Sequence, residues 1–216
     1  MHRFSIAAFV FTLIVWSPGC NSYVPGDAAY NLGHPEDARA TYESSYKAGN
    51  RAAGLRLAEM YVAGLGGSAD PKRGVAIYEQ LAAEGDPAAE HDLGYCYEYG
   101  QGVTIDYQKA AQWYGKAAGQ RYVPALYNLG TLYAKDRIVP EDDVEGLTLL
   151  IESAILSEGE PGEKAKFIRD DTPGHRSRLM ARMNVEQIGV AQKQAEERAK
   201  EFRLEVNPKG SKSGNQ

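Results

Sequence analysis

Residues 89–120 read AEHDLGYCYEYGQGVTIDYQKAAQWYGKAAGQ, and their organisation decides the fold. Ala89, Leu93, Gly94 and Tyr97 fall at i, i+4, i+5 and i+8, a single stripe on an α-helix. Asp86 stands before this helix as a side-chain acceptor for the first amides, and Pro87 occupies a position where no amide hydrogen is required. Gly100 and Gly102 close the helix where the backbone needs positive φ. Asp106 then caps a second helix, which buries Ala110, Tyr114 and Ala118 at four-residue intervals. The unit is an antiparallel helix hairpin.

Working outward by 36 residues in each direction recovers the same unit. Ala53, Ala89 and Ala125 share one column, Leu57, Leu93 and Leu129 a second, and Tyr61, Tyr97 and Tyr133 a third. On the second helix the columns are Tyr42, Tyr78 and Tyr114, and Ala82, Ala118 and Ala154. Gly64 matches Gly100, Gly66 matches Gly102, and Asp70 matches Asp106 and Asp142. Eight of the 36 positions in residues 53–88 recur identically in 89–124; composition alone gives about two or three. Ala58, Gly94 and Gly130 form a small column that permits close helix approach, enough to offset the roughly 1 kcal/mol cost of a helical glycine. These observations predict an all-α protein, a short right-handed α-solenoid of antiparallel helix pairs with a C-terminal capping helix.

The column set, Ala, Leu-Gly, Tyr, Gly-x-Gly, Asp, Lys-Ala-Ala, Trp-Tyr, Ala-Ala, resembles the Sel1-like repeat, a 36-residue relative of the tetratricopeptide repeat. Two departures stand out. Arg121 occupies a glycine position, and Asp136 and Ile138 replace the loop glycines of the last unit, which predicts a different loop there. The resemblance covers residues 36–204. A lone second helix at 36–48 opens the array, three pairs run to about Leu156, and the stretch from Pro161 closes it. Residues 29–33, AYNLG, echo LYNLG at 126–130 and are expected to form a shortened cap within a 20–35 linker. MNVEQIGVAQKQAEERAKEF, residues 183–202, resembles the terminal helix of such arrays: Asn184 and Gln187 make a capping box, and Ile188, Ala191, Ala195 and Ala199 an apolar stripe. Residues 205–216 carry almost nothing apolar and are expected to be a disordered tail.

The amino terminus is read separately. Met1, His2 and Arg3 precede the apolar run from Ile6 to Trp16, then Ser17, Pro18, Gly19 and Cys20. Residues 1–19 form an export signal, too short in its apolar part to span a hydrocarbon layer of roughly 30 Å. Gly19-Cys20 resembles the lipobox of bacterial lipoproteins, in which the cysteine is acylated, and Asn21 resembles the outer-membrane version of the sorting rule. The resemblance implies an exported protein lipid-anchored at Cys20 in the bacterial outer membrane and facing the periplasm, with a soluble periplasmic or secreted form as the alternative.

The chemistry-bearing residues are sparse. Net charge is −5 over 216 residues, with 24 basic and 29 acidic side chains, which excludes a basic nucleic-acid binder. Histidine occurs only at 2, 34, 91 and 175 without metal-ligand spacing, and there is no Cys-x-x-Cys, so neither a metal nor any other cofactor is expected. Cys96 lies in a column with Met60 and Leu132 and reads as a small buried apolar residue. Residues 140–146, PEDDVEG, read as a capped helix start and lack the turn glycine of a calcium loop. Ser44 and Lys47 spell Ser-x-x-Lys, and Lys212 to Gly214 a basic triplet, the marks of β-lactam-interacting enzymes, but an all-helical body supplies no sheet to hold them together.

What remains is surface. Eight of the fourteen tyrosines lie between residues 95 and 133, and His91, Tyr95, Tyr99, Tyr107, Tyr122 and Tyr127 are the candidate partner-binding set. The alternative for each is packing against the neighbouring unit. The family resemblance implies a non-catalytic scaffold or adaptor that binds an unidentified protein or peptide in the cell envelope. A narrower alternative is an adaptor lipoprotein of exopolysaccharide export, and a different class is an envelope hydrolase acting on cell wall or β-lactams.

Overall fold

The computed structural model describes residues 24–135, 142–158 and 160–206. Ten helices follow one another: α1 (Asp27–Asn31), α2 (Pro35–Lys47), α3 (Arg51–Ala63), α4 (Pro71–Ala83), α5 (Pro87–Tyr99), α6 (Tyr107–Gly119), α7 (Val123–Ala134), α8 (Asp143–Ser157), α9 (Glu163–Met180) and α10 (Val185–Val206). Each packs on its neighbour in sequence from α1 to α9, and α10 returns to lie on α8. No strand occurs among the described residues. The pairs α3–α4, α5–α6 and α7–α8 are the three repeat units.

Local chemistry fixes the helix starts as the sequence predicts. Asn50 accepts from the amide of Ala53, Asp70 from Arg73, Asp86 from Ala88 and Ala89, Asp106 from Lys109 and Asp142 from Glu145. Asn184 and Gln187 form a reciprocal box, each side chain accepting from the other's backbone amide at 2.9 and 2.8 Å. α3 and α5 end on Gly64 and Gly100 in the left-handed region. Gly66 and Gly102 have a further role: a Cβ on either would collide with the carbonyl of Pro35 or Pro71 at the start of the preceding unit's second helix. The Gly-x-Gly loop is therefore an inter-unit contact as well as a turn.

The repeat columns form a continuous core. Ala53, Ala89, Ala125, Leu57, Leu93, Met60, Cys96 and Leu132 are buried, as are Tyr42, Tyr78 and Tyr114. Burial pushes the Cys96 thiol up to about 12, as expected of an unreactive core cysteine. A Cβ on Gly94 would stand 2.7 Å from the Tyr114 ring, and one on Gly130 2.8 Å from Leu150, which is the close approach the small column implied. Leu129 departs from its column by being only half-buried, beside a cavity under α10.

The ends of the array differ from a simple repeat. α1 is a five-residue cap held by the Tyr42 hydroxyl, which donates to Asp27 at 2.6 Å. At the other end, α9 lies on α7 and α8 while α10 covers another side of α8. As a result α8 is buried nearly all round, including Leu147, Thr148, Leu150, Glu152 and Ser153. α10 runs to Val206, a little beyond the 183–202 helix and the 205 tail start expected from sequence. The signal, Cys20, the loop at 136–141 and residues 207–216 lie outside the described residues.

Candidate functional site

A groove of about 1050 Å³ crosses the first helices of the repeat units. Its floor comes from Leu55, Arg56, Glu59 and Val62 on α3 and Ala88, His91, Asp92 and Tyr95 on α5. These positions recur at helical spacing opposite the buried Leu-Tyr stripe, so the 36-residue repeat sets them side by side. Val24, Asp27, Ala28 and Asn31 of the amino-terminal cap close one end, and Tyr122 and Lys164 the other. Arg56 pairs with Glu59 at 3.5 Å, and the lining mixes both signs of charge with apolar stems.

The candidate residues divide by fate. Tyr95 and Tyr99 are exposed, at 40% and 49%, and their rings pair at a centroid distance of 4.4 Å on α5. His91 lines the groove with one edge, but both ring nitrogens are engaged. Its Nδ1–H donates to Asp92 at 2.9 Å, and Nε2 accepts from the Asn128 amide at 2.9 Å, an assignment that follows from the network. Its ring also packs on Tyr114 and Tyr122, at 5.5 and 5.4 Å. Tyr122 is half-buried at the start of α7, and burial lifts its hydroxyl to about 12. Tyr107 packs against the core of the last units.

Tyr127 is a correction to the surface reading. It is 7% exposed, packs edge-on against Phe167 and His175, and donates its hydroxyl to Asp171 of α9. α9 descends over α7 and takes this tyrosine into the core, so Tyr127 joins the packing, as His91 does in the preceding unit. Two residues of α9 that sequence alone offers no reason to single out also stand at the surface: Lys164 borders the groove, and Phe167 is exposed beside Tyr127. Neither lies in a repeat column, so no periodic signal pointed to them.

A second cavity of about 380 Å³ lies under α10. Arg198 of α10 forks onto Glu145 at 2.8 and 2.9 Å, and Arg121 binds the fully buried Glu152. Arg121 keeps the left-handed φ of 60° of the glycine column it occupies, and its guanidinium pairs with Glu152. Desolvation raises the Glu152 carboxyl above its ordinary range despite the two guanidiniums. The site is a structural charge cluster. Among the described residues no group of His, Cys, Asp and Glu is placed to hold a metal, and Asp143 of the acidic stretch is paired with Arg182. Ser44 sits exposed on α2, and Lys47 is paired with Glu43 at 3.3 Å.

The Sel1 repeat family model matches three consecutive segments, residues 52–86, 87–122 and 123–157, one for each helix pair. The chain is a Sel1-like repeat protein. Sel1 repeat proteins generally serve as protein–protein interaction scaffolds. Among solved structures, the Sel1 array resembles a protective antigen of uropathogenic Escherichia coli strains that displays an SLR fold. The TM-score is 0.66 and the identity 22%, over 88% of this chain and 41% of the antigen. It also resembles a Sel1 repeat protein from Oxalobacter formigenes, with a TM-score of 0.53 and 22% identity over 79% of this chain and 84% of the other. The chain thus spans less than half of the antigen's length, and these likenesses concern the fold. No curated protein matches the sequence significantly.

Proposed function

We propose that this protein is a non-catalytic adaptor of the bacterial envelope, anchored through acylated Cys20, that holds an extended segment of a partner protein in the α3–α5 groove. The observation that carries this reading is the groove itself. It is long, open and lined by mixed polar and apolar side chains, with the exposed Tyr95–Tyr99 pair at its border. Tyrosine pairs of this kind supply contact area at low entropic cost, and a solenoid repeats its lining every unit, which suits an extended ligand. Family membership supports the scaffold, while the Gly19-Cys20 sequence supports the anchor.

Photocrosslinking in the native envelope tests the groove. A benzophenone side chain at position 95 is expected to give a discrete adduct that is lost when Leu55→Arg fills the floor, and that the same group at position 185, at the far end of the molecule, does not give. Identical adducts from both positions would refute the assignment.

A further inference from the structure

α1 has five residues where α3 has thirteen, and a cap this short leaves a recess against α3. The recess measures about 210 Å³ and shares Asp27, Asn31, Arg56 and Glu59 with the groove, so it opens from the groove's amino-terminal end. Ligand pockets start at roughly 300 Å³, and the smaller space suits a single long side chain. Its lining divides by chemistry. Tyr30, Met60 and Leu65 supply apolar surface, and the Leu65 amide donates to the Met60 carbonyl at 3.0 Å, which holds that wall in place. Asp27 and Glu59 are carboxylates. The Tyr42 hydroxyl donates to Asp27 Oδ1 at 2.6 Å, and a neutral donor orients the carboxylate without cancelling its charge. Arg56 is the one cation on the lining, and it pairs with Glu59 at 3.5 Å. Two carboxylates thus face one guanidinium, and the uncompensated charge sits on Asp27.

We propose that this recess anchors a basic side chain of the bound partner segment, its apolar stem lying along Met60, Leu65 and the Tyr30 ring and its charged head pairing with Asp27. The proposal rests on the groove reading above and names the chemistry of the occupant. A lysine or arginine needs an apolar wall for its methylenes and an anion for its head, and this lining supplies both. The Tyr30 ring, 45% exposed, adds a face for the cation. Asp92, further along the groove, favours the same class of partner. The His91 ring orients it at 2.9 Å and the buried Tyr78 hydroxyl stands near it, while its own side chain stays 37% exposed. Against Asp27, Glu59 and Asp92 the groove sets only Arg56 and Lys164, so a segment carrying basic residues meets attraction where an acidic one meets repulsion.

Isotope-labelled methionine methyls read the recess directly, because Met60 lines it while Met180 and Met183 pack at the other end of the array. Titration with a capped arginine, N-acetylarginine methylamide, is expected to shift the Met60 resonance saturably and leave Met180 and Met183 unmoved, and N-acetylglutamine methylamide is expected to shift none. Asp27→Asn keeps an oxygen for the Tyr42 hydroxyl and removes the charge, so it should weaken the arginine titration by at least about fivefold. Arg56→Ala removes the competing cation and should tighten it. A Met60 methyl that ignores arginine, answers glutamine equally or responds undiminished in Asp27→Asn overturns the anchor, as does weakening by Arg56→Ala. In the native envelope, Asp27→Asn should also cut the yield of the position-95 adduct at least about threefold. An undiminished adduct refutes the anchor and leaves the groove standing, whereas absence of any adduct refutes the groove, and the arginine titration judges the recess separately.

Discussion

Two tyrosines on the first helices of adjacent units end in opposite environments. Tyr95 keeps a solvent-facing ring paired with Tyr99, while Tyr127 is sealed by α9 and spends its hydroxyl on Asp171. Tyr127→Ala removes a buried aromatic ring and leaves Asp171 short of a donor, and a loss of about 3 kcal/mol is expected in urea unfolding. Tyr95→Ala removes surface only, so its stability change is expected to stay within about 0.5 kcal/mol, with any loss showing in partner capture. Equal destabilisation by both substitutions would mean that Tyr95 also belongs to the packing. The columns did not foretell these fates: Tyr95 aligns with Thr131 and Tyr127 with His91, and a period of 36 residues records what units share and not what covers them.

At the scale of elements, the capping residues and the small columns act locally and were legible from the sequence. The closure of the array was not. Pro173 and Gly174 interrupt the pattern in the stretch that becomes α9, and Pro173 lies inside that helix. α8 is buried nearly all round because α9 and α10 flank it, which places Glu152 without solvent between Arg121 and Arg198. Its raised carboxyl gives a signed prediction. A folded-state value above the unfolded 4.5 means the native chain binds more protons between the two, so the stability contributed at this site falls as pH rises through that window. The native chain is therefore expected to gain stability relative to Glu152→Gln as pH is lowered from neutral towards 4.5, measured as the difference in unfolding free energy. A difference that shrinks on acidification would show that the guanidinium attraction outweighs desolvation.

The whole molecule is a one-dimensional stack whose units bury their faces against each other, so its ends need covers. α10 supplies one: Ala191, Ala195 and Ala199 are buried, and Gln194 accepts from the Thr148 hydroxyl at 3.2 Å. Removing residues 185–216 exposes the Thr148 and Glu152 side of α8 and strands Glu152 without Arg198. A loss of at least about 4 kcal/mol, or aggregation on expression, is expected, and an unchanged unfolding midpoint would show that α10 is not part of the fold.

The amino-acid sequence by itself determined the helix pairs, their caps, the glycine loops and the buried columns, because these depend on contacts within a unit or between adjacent identical units. The Sel1 motif was readable for the same reason. Tertiary structure alone decided which tyrosines face the groove and how Lys164 comes to its border. Each of those depends on α9 or α10 packing back over units that do not resemble them, and aperiodic contacts leave no periodic trace.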